Sequence, residues 1–160
     1  MVRNVSSFFR ELEEADFYLL SGIEHGMRFS QWVDGSKLPD LSGLSSKEVE
    51  YRIKRCKKYH LIEQKILQYA GYRLRFEGYD ALALRNFVER GVIEMFGPII
   101  GVGKESEVYE VQSYKSLALK YHREGYTNFR KVNLNRDYTS KNQHVSWMYT
   151  ARKAAEREFE

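Results

Sequence analysis

The period of the apolar residues changes near Gly91, and a chain that switches period cannot be one uniform layer of helices or of strands. Before the switch, Phe8, Phe9, Leu12, Leu19, Leu20 and Ile23 recur at helical spacing with Glu11, Glu13, Glu14 and Glu24 between them. That pattern predicts helix from Val5 to Gly26, divided in two around Ala15-Asp16 with Asp16 as an N-cap. After the switch, residues 92–102, 107–112 and 117–121 read as strands. A chain of 160 residues has room for two small domains, and the boundary falls at about residue 90, giving 1–90 and 91–160.

Within the first part, turn residues cluster at Asp34-Gly35-Ser36, Pro39-Asp40 and Ser42-Gly43. Ser45 and Glu48 then have capping-box spacing, which opens a helix expected to run to Lys58. Val49, Ile53 and Cys56 form its narrow apolar stripe. Arg52, Lys54, Arg55, Lys57 and Lys58 lie mostly off that stripe, so the reading is a buried seam with a basic outer face. The chain's net charge of +4 hides this block: residues 45–76 hold nine Lys and Arg against three Glu, for a net +6. A field of that sign attracts phosphate backbones, the competing reading being an ordinary solvated face. Two strand-like runs follow, 61–67 and 72–76, joined around Ala70-Gly71, and then a helix from Tyr79 to Arg90 closed by Gly91. Helix, turn, basic helix and two-stranded hairpin is the outline of a winged helix-turn-helix.

Other classes are excluded quickly. Cys56 is the single cysteine, so no intrachain disulfide or cysteine-based zinc site can form. His25, His60, His122 and His144 show no metal-ligand spacing, and no metal site is expected. Mean hydropathy is −0.59 and no apolar run approaches a membrane span, so no membrane partner and a cytoplasmic location are expected.

Chemistry enters at Ile100-Gly101-Val102-Gly103-Lys104-Glu105-Ser106-Glu107-Val108-Tyr109, a glycine turn between two strands. Bare glycines at such a turn let backbone approach phosphate oxygens. A Walker loop fails here because Pro98 stands five positions before Gly103 and Glu105 follows Lys104. A Rossmann turn fails because a strand follows it. The protein-kinase pattern fits as Gly101, Gly103, Ser106 and Val108, with serine in place of the third glycine. Twelve residues after Val108, Leu117-Ala118-Leu119-Lys120 matches the strand that carries the phosphate-binding lysine of kinases. Alternation puts Leu117, Leu119 and Tyr121 on one face, and Ala118 with Lys120 on the other.

Residues 122–143 read as a long polar loop, and 145–160 as a final helix. Trp147, Ala151, Ala154 and Glu158 share a face of that helix, with Glu156 about 200° away from Glu158. A carboxylate on an inward face wants a cation, which points to a Glu158–Lys120 pair, the alternative for Glu158 being a half-buried surface acid. Glu156 is expected to pair with Arg152 at the surface.

The series Gly101 to Tyr109, Ala118-Leu119-Lys120-Tyr121-His122-Arg123, Thr127-Asn128-Phe129-Arg130, Arg136-Asp137-Tyr138, Ser146-Trp147-Met148-Tyr149 and Ala154 to Phe159 closely resembles the RIO family of atypical protein kinases. The basic winged helix ahead of it resembles that family's second subfamily. The resemblance implies an α+β chain, with a winged helix followed by the antiparallel sheet and helix of a kinase N-lobe. It implies a serine/threonine kinase or ATPase that binds ATP and acts in maturation of the small ribosomal subunit, with pre-ribosomal RNA and proteins as partners. By residue, Gly101, Gly103 and Ser106 would form the phosphate loop, with Lys104 and Glu105 characteristic of the family. Ile100, Val108 and Ala118 would line the adenine, and Lys120 would hold phosphates and pair with Glu158. Residues 122–143 would be the family's flexible loop, with Thr127, Thr139 and Ser140 as hydroxyls available for autophosphorylation. Arg52, Lys54, Arg55, Lys57 and Lys58 would meet RNA.

One departure stands against these matches. A kinase needs a catalytic-loop Asp with a downstream Asn and a metal-binding Asp, and no His-x-Asp or Asp-Phe-Gly occurs here; Asp16-Phe17-Tyr18 lies in the wrong domain. The C-lobe, with its Mg2+ ligands, is missing, so the chain is expected to be inactive alone, as a piece of a longer kinase or a truncated product. The competing reading is a non-enzymatic winged-helix nucleic-acid-binding regulator.

Overall fold

The computed structural model describes residues 5–103 and 106–122, with 156, 157 and 159. The chain divides into two compact units, Met1–Glu89 and Arg90–Glu160. In the first, two 3-10 turns, Val5–Ser7 and Phe9–Glu11, lead into helix α1, Glu14–Gly26. Strand β1 (Val33–Asp34), short helix α2 (Leu38–Ser42), helix α3 (Ser46–Lys58), strands β2 (Ile62–Ile66) and β3 (Ala70–Leu74), and helix α4 (Phe76–Glu89) follow. The strands form an antiparallel sheet in the order β1-β3-β2. Four helices, one of them short, and a three-stranded sheet whose β2–β3 hairpin is the wing make this unit a winged helix.

Its core comes from the periodicities already described. Leu19, Leu20 and Ile23 of α1 are wholly buried, together with Leu38, Cys56, Leu61 and Leu74. Burial of Cys56 holds its thiol well above the usual range, so it behaves as a small apolar side chain. Helix α1 also approaches its neighbours closely: a Cβ at Gly26 would come within 2.7 Å of the Val33 side chain.

Several local expectations are corrected. Asp16 is not the N-cap of α1 but its N3 residue; Glu13 caps, and the Glu13 amide donates to Asp16 Oδ2 at 2.9 Å. The turn-rich segment holds β1 and α2, which are too short for any period to reveal. Ser45 caps α3 by accepting from the Glu48 amide at 3.2 Å, as its spacing predicts. The Glu48 carboxylate turns to Arg52 at 2.7 Å. The hairpin reverses at residues 67–69, ahead of the expected Ala70-Gly71, because those two residues pair with Ile66 and Lys65. Helix α4 begins at Phe76, three residues before the expected start.

The second unit carries strands β4 (Met95–Val102), β5 (Ser106–Gln112) and β6 (Ser116–His122), antiparallel in that order. Gly91 has φ +68°, the left-handed conformation expected of the residue that stops a helix. The sheet and the winged helix together give the α+β class expected.

Candidate nucleotide site and basic surface

Pairing across β4, β5 and β6 sorts side chains onto two faces. Tyr109 opposes Leu119 and Val111 opposes Leu117, and Tyr109, Val111 and Tyr121 are buried. Phe96 and Tyr121 pack on Tyr109 with ring centroids 5.3 and 5.7 Å away. On the opposite face a row runs across all three strands, Gly101 to Val108 to Lys120, with Glu110 and Ala118 paired beside it. Lys120 and Ala118 are exposed and Val108 is half-buried. Alternation thus separates Ala118 and Lys120 from Leu117, Leu119 and Tyr121 as the sequence indicates.

An irregularity in β4 makes that row possible. Ile99 pairs with Tyr109 and Gly101 with Val108, so two steps on β4 answer one on β5. Ile100 is the extra residue of this bulge, 59% exposed. Without it Gly101 would fall on the aromatic face. A second shift, between Phe96 and Ile99, spans Gly97 and Pro98, where a missing amide is tolerated.

The glycines differ in why they are glycine. At Gly78 an added Cβ would collide with the Leu61 carbonyl oxygen, so the fold requires the residue. At Gly101 the nearest atom would be Val108 Cβ at 4.0 Å, and at Gly103 Ser106 Oγ at 3.5 Å, both ordinary contacts. Neither has a positive φ. Among the described residues, packing and backbone conformation therefore do not demand glycine at 101 or 103; what the residues provide there is bare backbone on the Val108–Lys120 face. The Gly103 amide donates to the Ser106 carbonyl at 2.8 Å and closes the hairpin, so Gly103 offers room and not a free donor. Ser106 begins β5, opposite His122. Lys104, Glu105 and Glu158 lie outside the described residues, as do Arg152, Thr127, Thr139, Ser140 and residues 123–155 generally; Glu156 is helical and exposed.

The basic helix is rearranged relative to expectation. Arg52 is 8% exposed and points inward. Its guanidinium meets Glu13 at 2.6 Å, Glu48 at 2.7 Å and Asp16 at 3.3 Å. Burial works against the charge, but these carboxylates outweigh it and hold its pKa above the ordinary value. Arg55 grips Asp16 Oδ2 at 3.1 Å and donates to the Glu11 carbonyl at 2.8 Å, and the hydrogen bond to Asp16 raises its pKa too. Asp16 is completely buried between the two arginines. They lie three residues apart and share one face of the helix, the face toward α1; the apolar stripe Val49–Ile53–Cys56 is too narrow to reveal that its flank is buried as well.

Of the five expected cations, Lys54, Lys57 and Lys58 remain outside. Lys54 pairs with Glu50 at 3.3 Å, Lys57 donates to Gln64 Oε1 at 2.7 Å, and Lys58 lies over the Tyr59 ring at 5.5 Å. The exposed face also includes Lys47 and Tyr51, which sequence reasoning passed over although they continue the i, i+3, i+4 row through Lys54. Among the described residues no helix is long and apolar enough to cross a membrane.

Comparison with known proteins covers both units. Residues 9–90 match the family described as Rio2, N-terminal, and residues 107–160 match the RIO domain. RIO-type serine/threonine-protein kinase Rio2 of Methanocaldococcus jannaschii is 37% identical over 136 residues, covering 84% of this chain and 49% of that protein. Serine/threonine-protein kinase RIO2 of Saccharomyces cerevisiae is 37% identical over 160 residues, covering 97% and 38%. The crystal structure of a Rio2 kinase-ADP/Mg2+-phosphoaspartate complex from Chaetomium thermophilum superposes with a TM-score of 0.78 at 34% identity, covering 96% of this chain and 46% of that one. The chain thus spans about half, or less, of the length of these relatives.

Proposed function

The chain belongs to the Rio2 family of RIO-type serine/threonine-protein kinases, and from that membership we propose that its second unit receives the phosphates of ATP between the Gly101–Ser106 hairpin and Lys120. The observation that supports this reading is the pair of glycines that neither packing among the described residues nor backbone conformation requires. Ile100, Val108 and Ala118 would cover the base, and the Lys120 ammonium would hold phosphate oxygens as a point charge. Lys104 and Glu105 belong to the same loop, and Glu158 is the assigned partner of Lys120. Residues 1–90 are read as the winged-helix domain, and 91–160 as a partial N-lobe with glycine-rich loop, lysine strand, flexible loop and helix C. The relative crystallised with ADP and Mg2+ supports a nucleotide–magnesium complex as the ligand. ATP bound here would supply the phosphoryl group, while the residues of this chain bind and orient it.

Phosphoryl transfer is assigned to the parent protein, since the sequence holds no His-x-Asp or Asp-Phe-Gly. We place that activity in the cytoplasm, in maturation of the small ribosomal subunit, with RNA contact through the basic face of α3. A direct check is titration of the chain with a fluorescent ATP analogue and Mg2+. Lys120→Met should weaken binding about tenfold, the scale of one lost charge-assisted contact. Equal affinity in the two proteins would remove Lys120 from the site.

A further inference from the structure

With Arg52 and Arg55 locked inward, the surface left for a phosphate polymer is different from the one the sequence suggests. The exposed residues of α3 include Lys47, Glu50, Tyr51, Lys54, Lys57 and Lys58. From Lys47 to Lys58 they run about 16 Å along the helix, long enough to meet several phosphates. None is an Asn or Gln, the side chains that pair with adenine, and none is an Arg, whose planar fork suits guanine; lysines meet phosphates as point charges. The hydrogen bond from Lys57 to Gln64 joins this face to the β2–β3 hairpin. Gln64 and Ile66 lie on the hairpin face shared with buried Ile62 and Tyr72. Beyond the core that face ends in Ile66, 73% exposed, and the turn that follows opens with Leu67, 40% exposed. Lys65 stands on the opposite face, its ammonium 5.8 Å from the Trp32 ring centroid, beside Arg73 at 4.3 Å. Lys57, Lys58 and Lys65 meet no carboxylate among the described residues; their contacts are Gln64, Tyr59 and Trp32.

A hairpin with an apolar tip and an ammonium on either flank has the shape and charge of a wedge between two phosphate rows. We propose that the winged helix docks on double-helical RNA, with Ile66 and Leu67 against the ribose surface of the minor groove. Lys65 then faces one phosphate strand while Lys57 and Lys58 face the other. A-form geometry suits this: its major groove is too deep and narrow for α3, whereas its minor groove is wide, shallow and lined by sugars. The inference deepens the RNA contact proposed above and rests on it. Recognition is then by shape and charge, without base sequence.

The test measures binding of the chain to a short RNA duplex, the matching DNA duplex and the single RNA strand, from about 50 to 200 mM salt. The RNA duplex should bind tightest. Lys57→Ala with Lys65→Ala should weaken it roughly tenfold and flatten the salt slope by about two units at most. Ile66→Ser with Leu67→Ser should weaken it without changing the slope, because no charge is removed. Both pairs are exposed, and unchanged melting with unchanged ATP titration shows that the fold and the nucleotide site are intact. If Lys54→Ala with Lys58→Ala weakens RNA binding but neither hairpin variant does, the RNA contact stands and the wedge is wrong. Variants that move nothing overturn both, and equal or tighter binding of the DNA duplex overturns the assignment to RNA.

Discussion

Asp16→Ala should destabilise the winged-helix unit by about 3–5 kcal/mol, the scale observed when one partner of a buried ion pair is removed. The reason is the environment of the carboxylate. Asp16 is wholly buried and accepts from Arg52, from Arg55 and from the Glu13 amide, so it joins the start of α1 to the middle of α3. Without it, Arg52 keeps Glu13 and Glu48, but Arg55 keeps no carboxylate nearer than Glu13 at 3.7 Å, beside the Glu11 carbonyl and the Tyr51 and Tyr59 side chains. The cap at the Glu13 amide is lost as well, which contributes about 1 kcal/mol. Against a typical domain stability of about 5–15 kcal/mol, the loss is large. Urea denaturation followed by helical circular dichroism should show the midpoint falling with the slope unchanged. A loss under about 1 kcal/mol would mean that the cluster behaves as a surface network.

The same cluster marks where the sequence stops being readable. A capping serine announces itself by local spacing, and Ser45 does so correctly. So do the period switch at Gly91 and the alternation around Lys120, because each is decided within a few residues. Whether an arginine faces water or a carboxylate 36 residues away is decided by the packing of α1 on α3, and nothing near Arg52 in sequence carries that information. The charge block at 45–76 therefore overstated the positive surface: two of its arginines are neutralised from the acidic stretch before it. Glu13 and Asp16, in that stretch, read locally as ordinary helix-start acids.

The proposed nucleotide site is legible to a different depth. Its residues are named by a motif, but a motif cannot say which of them share a face. The bulge at Ile100 decides that, since it turns Gly101 onto the side of Val108 and Lys120. Bulges leave a weak trace in sequence: the Gly97-Pro98 pair marks only the other shift in this strand, between Phe96 and Ile99.

That geometry also separates a folding role from a binding role for the glycines. Among the described residues, valine at 101 and 103 would meet no atom closer than ordinary contact distance at its Cβ, and neither position needs a positive φ. Replacing glycine at a compatible position restricts the unfolded chain and typically stabilises by about 0.4–1 kcal/mol. A ligand that needs the bare backbone would be excluded by the same side chains, with a loss of at least about tenfold in affinity, the scale of one contact to a charged phosphate oxygen given up. The decisive measurement is a paired one on Gly101→Val with Gly103→Val, recording thermal melting and titrating ATP with Mg2+ on one preparation. Unchanged or raised melting with ATP binding lost is the expected result, and ATP binding that survives in a folded variant would contradict the assignment of this face as the nucleotide site.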